Sequence, residues 1–213
     1  MAQREISELT ARYAFCDPAS GKGKEVVKRV RSRSAIIVVA VDELCRFFVL
    51  HAWADRCSTD KLIDRIVETY KTYHPRPFGI EANALQSLFV DAVRRDAKRS
   101  GLRLPLTGVT QPTNVDKDWR IRSVLQPIIA DGRLFVQKQM YELLSEIETF
   151  PMSATKDLID ALASAIALAP RRAIQTQRAS EAASLRAFLE ASHAPDHYIQ
   201  QRVDEVMREE VMT

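Results

Sequence analysis

The sequence predicts a mixed α/β sheet with helices packed on both faces. Three features carry that expectation. Residues 35–41 are a continuous, β-branched apolar run, as in a strand covered on both sides. Strand-like segments at 12–16 and 46–53 flank it in the chain. Beyond Ser58, segments of helical periodicity alternate with short strand-like pieces.

Taken in order, residues 12–16 form a first strand, stopped by Asp17-Pro18 and a Gly/Lys-rich turn. Residues 35–41 and 46–53, separated by Asp42-Glu43, read as a hairpin. Ser58 is the N-cap of a helix with Leu62, Ile63, Ile66, Val67 and Tyr70 on its apolar face, and Pro75 and Pro77 end it. Residues 78–81 form a short strand, and Asn83 with Gln86 resembles a capping box opening a helix to about Arg99. Then follow a strand at 102–109, a helix at 116–130, a strand at 133–136 and a short helix at 141–148. Pro151 breaks the chain, and Ser153 or Thr155 caps an Ala-rich helix reaching Leu168. Three early antiparallel strands followed by β–α units suggest a ribonuclease H-like layout for a domain at 1–170. Residues 171–213, rich in helix formers and interrupted at Pro195, read as a helical C-terminal tail.

A length of 213 residues suits one domain of ordinary size with a short appendage. With 46% hydrophobic and 28% charged residues, the composition is that of a soluble globular protein, not a fibrous or low-complexity one. Residues 1–7 are polar with no apolar stretch after them, so no signal peptide is expected. Residues 35–41, the longest apolar run, are too few to span a bilayer. Cys16, Cys45 and Cys57 lack metal-ligand spacing and fit reduced thiols, hence a cytoplasmic location. The net charge of +3 is unevenly spread. Lys22, Lys24, Lys28, Arg29, Arg31 and Arg33 face only Glu25 in their segment, and Arg94, Arg95, Lys98, Arg99 and Arg103 form a second run. Such runs are solvated faces or an electrostatic footprint for a phosphate backbone.

Four acids stand at structural junctions. Asp17 ends the first strand, where a simple Asp-Pro turn is the bland explanation. Glu81 ends a strand just before a helix, at the kind of strand exit where α/β sheets bind ligands. Asp157 lies in the first turn of the last core helix, where it also complements the helix dipole. Asp160 sits among Leu158, Ile159, Ala161, Leu162, Ala165 and Ile166, and an acid in such surroundings needs a partner or a metal. Carboxylates without companion His or Cys suit hard divalent cations, Mg²⁺ or Mn²⁺, and not Zn²⁺. Ser20-Gly21-Lys22-Gly23-Lys24 lacks the spacing of an ATP phosphate loop, and Pro195 separates His193 from His197.

Together, Asp17-Pro18-Ala19, Ile80-Glu81-Ala82-Asn83, Lys117, Arg120 and Ile121, Gly132-Arg133-Leu134-Phe135, Leu144, Glu146, Phe150-Pro151 and Asp157-Leu158-Ile159-Asp160-Ala161-Leu162 resemble the C-terminal nuclease domain of tailed-phage terminase large subunits. The resemblance spans residues 11–169. It implies a ribonuclease H-like fold and metal-dependent cleavage of double-stranded DNA during genome packaging in a bacterial host cell. Asp17, Glu81 and Asp157 match the family's acidic motif positions, with Asp160 auxiliary. Where family members often carry consecutive acids, this chain has Lys156-Asp157, so Asp160 competes with Asp157 as the third ligand.

With two ions about 4 Å apart, Asp17 is expected to bridge both, Glu81 to hold one, and Asp157 with Asp160 the other. Lys117 and Arg120, from helix placement and the resemblance, and Lys22 and Lys24, from charge alone, are expected to grip phosphates. No Walker motif is present, so the resemblance implies a packaging ATPase domain elsewhere, along with a small terminase subunit and a portal as partners. The rival readings are a junction resolvase or RNA–DNA hybrid nuclease, and a non-catalytic packaging assembly module.

Overall fold

A computed structural model describes residues 11–19, 33–42, 44–82, 87–111, 115–169, 185–192 and 194–208. The chain divides into two compact units, Met1–Asp42 with Arg46–Ala169, and Glu43–Cys45 with Pro170–Thr213.

Among the described residues, the first unit is built on a six-stranded sheet of order β5-β4-β1-β2-β3-β6. Strands β1 (Ala11–Asp17), β2 (Ser34–Val41) and β3 (Phe47–Asp55) run as an antiparallel meander. β4 (Phe78–Glu81) lies parallel to β1, β5 (Leu106–Val109) parallel to β4, and β6 (Leu134–Phe135) parallel to β3. The helices are α1 (Thr59–Tyr73), α2 (Ser87–Arg99), α3 (Lys117–Ala130), α4 (Tyr141–Thr149) and α5 (Asp157–Ala167).

Alternation along the strands sorts the core into two layers. Tyr13 and Phe15 of β1, with Ala35, Ile37, Val39 and Val41 of β2, meet Ile121 and Leu125 of α3, Leu143 of α4 and the apolar face of α5. Ala14 and Cys16, with Ile36 and Val38, face Leu62, Ile63 and Ile66 of α1 and Val90 and Val93 of α2. Every residue of β2 is buried, as the unbroken apolar run at 35–41 predicts. Gly79 belongs to the first layer, because a Cβ there would stand 2.8 Å from both Leu168 Cδ1 and Phe15 Cδ2.

Ser58 acts as read, and Asp116 and Gly132 punctuate the chain in the same manner. Ser58 accepts from the Lys61 amide and starts α1, and Asp116 accepts from the Trp119 amide and starts α3. Gly132, at φ 65°, ends α3: its N–H reaches the Ile129 carbonyl and that of Arg133 the Ile128 carbonyl, the paired bonds of a Schellman motif. Three expectations need correction. β5 starts at Leu106, not at 102, because the Leu102 amide still bonds the Ala97 carbonyl in the exit of α2. β6 keeps only two residues. The N-cap of α5 is Lys156, with no side-chain capping bond, since the Thr155 hydroxyl turns to Glu146 instead. Asn83 and Gln86 lie outside the described residues.

In the second unit, residues 185–191 form α6 and Asp196–Arg208 form α7. They meet across Pro195 through buried Ile199 and Val203, with Leu189 and Ala194 against them. Among the described residues no helix is long and apolar enough to cross a membrane.

Candidate active site

β1 and β4 are parallel neighbours, and the register pairs Cys16 with Ile80. The next residues, Asp17 and Glu81, therefore leave the sheet side by side. Cys16 and Ile80 face the α1/α2 layer, so alternation turns Asp17 and Glu81 to the opposite face, under α5. The two carboxyl groups hydrogen-bond to each other. Burial first, then Glu81 and the field of Asp160, push the Asp17 carboxyl well above the usual carboxylate range, with the Lys117 charge opposing. Chain exit from β1 is held by the Ala19 amide donating to Ser34 Oγ at 3.0 Å.

Above this pair stands the first turn of α5. Asp157 and Asp160 are buried there, at 8% and 4% exposure. Asp160 is saturated by α3: Lys117 Nζ stands 2.9 Å from one oxygen and the Arg120 guanidinium 2.6 Å from the other. This supplies the partner that its apolar neighbours demand. Burial works against the Lys117 charge, but Asp160, with help from Asp17 and Asp157, holds its pKa above the ordinary lysine value. Asp157 Oδ2 accepts from the Arg33 amide at 3.2 Å. Lys156 turns away to α3, with its ammonium 2.6 Å from both Asp118 oxygens.

Two residues at the site carry roles that the charge pattern did not reveal. Arg33 reads as the end of a basic run, yet it faces inward, pairing with Glu142 and Glu146 and lying 3.5 Å from Asp157. Glu146 is 4% exposed on the inward face of α4, three residues after buried Leu143. The rule that singles out Asp160, an acid on an apolar helix face, applies equally to Glu146. Of the expected phosphate-gripping residues, Lys117 and Arg120 sit at the site, while Lys22 and Lys24 lie outside the described residues. Cys16 is buried in the opposite layer, where burial and then Asp17 push its thiol pKa well up, so it is a core thiol.

The expected four-carboxylate cluster thus resolves into an acid pair on the sheet and an ion-paired couple on α5. Among the described residues, no group of three or more His, Cys, Asp or Glu is arranged to hold a metal ion as the side chains lie. The donors themselves suit a hard cation: all are carboxylate oxygens, and two of them already converge.

The sequence model of a family described as "Terminase RNaseH-like domain" matches residues 14–169. No curated protein matches the chain. Among solved structures, the P22 large terminase nuclease domain is similar at 13% identity, over 72% of this chain and 78% of that one, with a TM-score of 0.49. The large terminase nuclease of thermophilic phage G20c with bound zinc is similar at 14% identity, over 75% and 81%, with a TM-score of 0.48. T. thermophilus RuvC in complex with a Holliday junction substrate is similar at 15% identity, over 78% and 97%, with a TM-score of 0.44.

Proposed function

Because the chain belongs to the terminase RNase H-like domain family, we propose that it is a metal-dependent endonuclease cutting double-stranded DNA during phage genome packaging. The observation that carries this is the meeting of Asp17 and Glu81 at adjacent strand exits, beneath the acids of α5. Two carboxyl groups forced together in a half-buried seat share a proton when no cation is present, and a divalent cation relieves the same repulsion.

Asp17, Glu81 and Asp157 are the proposed catalytic acids, with Asp160 auxiliary, and together they are the residues that would hold two Mg²⁺ or Mn²⁺ ions. When bound, the cations supply an activated water and charge relief at the scissile phosphate. The protein's own groups bind and orient. Lys117 and Arg120 place two positive charges at the corner where the phosphate backbone arrives. Lys22 and Lys24 are proposed to extend that grip. Contacts of this kind predict little sequence preference and strong salt sensitivity. An ATPase domain, a small terminase subunit and a portal are the proposed partners.

The experiment is cleavage of supercoiled plasmid at low salt with Mn²⁺, beside EDTA and Asp17→Asn controls. Nicked and linear products, lost in both controls, are the expected result. Cleavage that survives Asp17→Asn would remove Asp17 from the site, and cleavage that survives EDTA would remove the metal.

A further inference from the structure

Glu146 is the most heavily committed acid beside the site. Its Oε1 accepts from the Thr155 hydroxyl at 2.7 Å and from the Arg33 guanidinium at 3.2 Å. Its Oε2 accepts from the Ile159 amide at 2.9 Å. A buried carboxylate needs partners, and all of these belong to Arg33 or to the segment that carries Asp157.

Helix α5 begins at Asp157 without a side-chain cap on Lys156. Its first-turn amides therefore lack an ordinary cap partner. Glu146 takes the Ile159 amide from across the α4–α5 junction, and its charge lies at the positive end of the helix dipole. Arg33 closes the arrangement from the sheet side. It holds Asp157 Oδ2 through its backbone amide, and its guanidinium is bonded to Glu146. With Oδ2 held from behind and the helix start anchored, the direction in which the Asp157 carboxylate faces is set.

We infer that Glu146 and Arg33 are a positioning pair that orients Asp157 for its cation, an inference that rests on the metal-nuclease reading above. Neither residue touches the reacting atoms. Groups that orient ligating side chains are typically worth 10- to 100-fold in metal affinity or activity, so the effect should appear in metal dependence and not in the rate at saturation.

The test follows Mn²⁺ binding to the full chain without DNA, by the electron paramagnetic resonance signal of free Mn²⁺, and the Mn²⁺ dependence of plasmid nicking. Glu146→Gln sets an amide donor against the Ile159 N–H or the Thr155 and Arg33 donors. It is expected to weaken Mn²⁺ binding roughly 10- to 100-fold and to raise the metal needed for half-maximal nicking in proportion. The rate at saturating Mn²⁺ should stay within a few-fold of wild type. Thr155→Val removes one bond to Glu146 at constant shape and should shift metal dependence the same way by less, which keeps the test open if Glu146→Gln does not fold. Variants that melt cooperatively and bind Mn²⁺ as wild type does would overturn the inference and make the pair a fold anchor only. Asp157→Asn separates the two levels: wild-type binding and cutting by that variant would sink the site assignment itself, whatever Glu146 does.

Discussion

The two halves of the candidate site meet charge in opposite ways. On the sheet, Asp17 and Glu81 stand against each other, and burial first, then Glu81, raise the Asp17 pKa. On α5, Asp160 sits between Lys117 and Arg120, and Asp157 is backed by Arg33. The sheet half sets acid against acid, with the Lys117 charge opposing the rise, and the helix half sets acid against base. The lesson concerns stability as well as chemistry. Two acids set side by side cost the fold something, whereas a buried ion pair costs the fold most when one partner is taken away.

The largest effect that would break this contrast is on catalysis. Asp17→Asn and Glu81→Gln should each lower plasmid cleavage by about 10,000-fold, as removal of a central catalytic group does. In the same assay Glu142→Gln, an exposed residue, should cut like wild type. If Asp17→Asn cut within tenfold of wild type, the acid pair would be structural.

Next is the helix half. Asp160→Asn strands Lys117 and Arg120 beside a neutral amide at a position 4% exposed. It should destabilise the protein by about 3 kcal/mol, read from the midpoint of urea unfolding at pH 7. An effect below about 1 kcal/mol would mean that the two cations find other acids and that Asp160 is not their anchor.

The sheet half should show the reverse sign. The Asp17 carboxyl is raised above the ordinary unfolded value of about 3.9. Between that value and its raised folded one, the folded state binds the proton more tightly than the unfolded state. The Asp17 contribution to metal-free stability is therefore fully present below this window and is lost as pH rises through it. Asp17→Asn cannot titrate, so in EDTA its melting temperature should vary less across the window and exceed that of wild type at the upper end. Each kcal/mol relieved corresponds to roughly 2–4 °C for a chain of this size. Wild-type and Asp17→Asn profiles that run parallel over the same range would contradict the acid-pair account.

How far the sequence reaches also differs between the halves. Strand exits are marked by local signals, an apolar run closed by Asp17-Pro18 and Phe78-Gly79-Ile80 closed by Glu81, so both positions are legible from residues alone, while their adjacency comes from the β1–β4 pairing. The sheet is legible for the same reason: β2 is apolar from Ala35 to Val41 because helices cover both its faces. The helix half depends on contacts between residues far apart in sequence. Arg120 meets Asp160 and Arg33 meets Glu146, and no periodicity announces either pairing. Arg33 is the clearest case, since a basic run signals solvent or phosphate while its last member turns into the protein. The start of α5 misleads for a related reason: Thr155 has the chemistry of a cap, but Glu146 takes its hydroxyl.

The smallest prediction sharpens where the helix half ends. Arg33 pairs with Glu142 at the surface and Glu146 inside, with side-chain exposures of 65% and 5% for the two acids. Solvent screens the outer pair and competes for both its members, so Glu142→Gln should cost less than about 1 kcal/mol in urea unfolding. Raising the salt should remove even that difference. The inner pair is shielded from both effects, because Glu146 is also bound by Thr155 and the Ile159 amide. If Glu142→Gln instead destabilised the protein as much as Asp160→Asn, the guanidinium of Arg33 would be held chiefly from outside. The boundary between solvated charge and site charge would then lie at α4, one shell further out than the buried Glu146 places it.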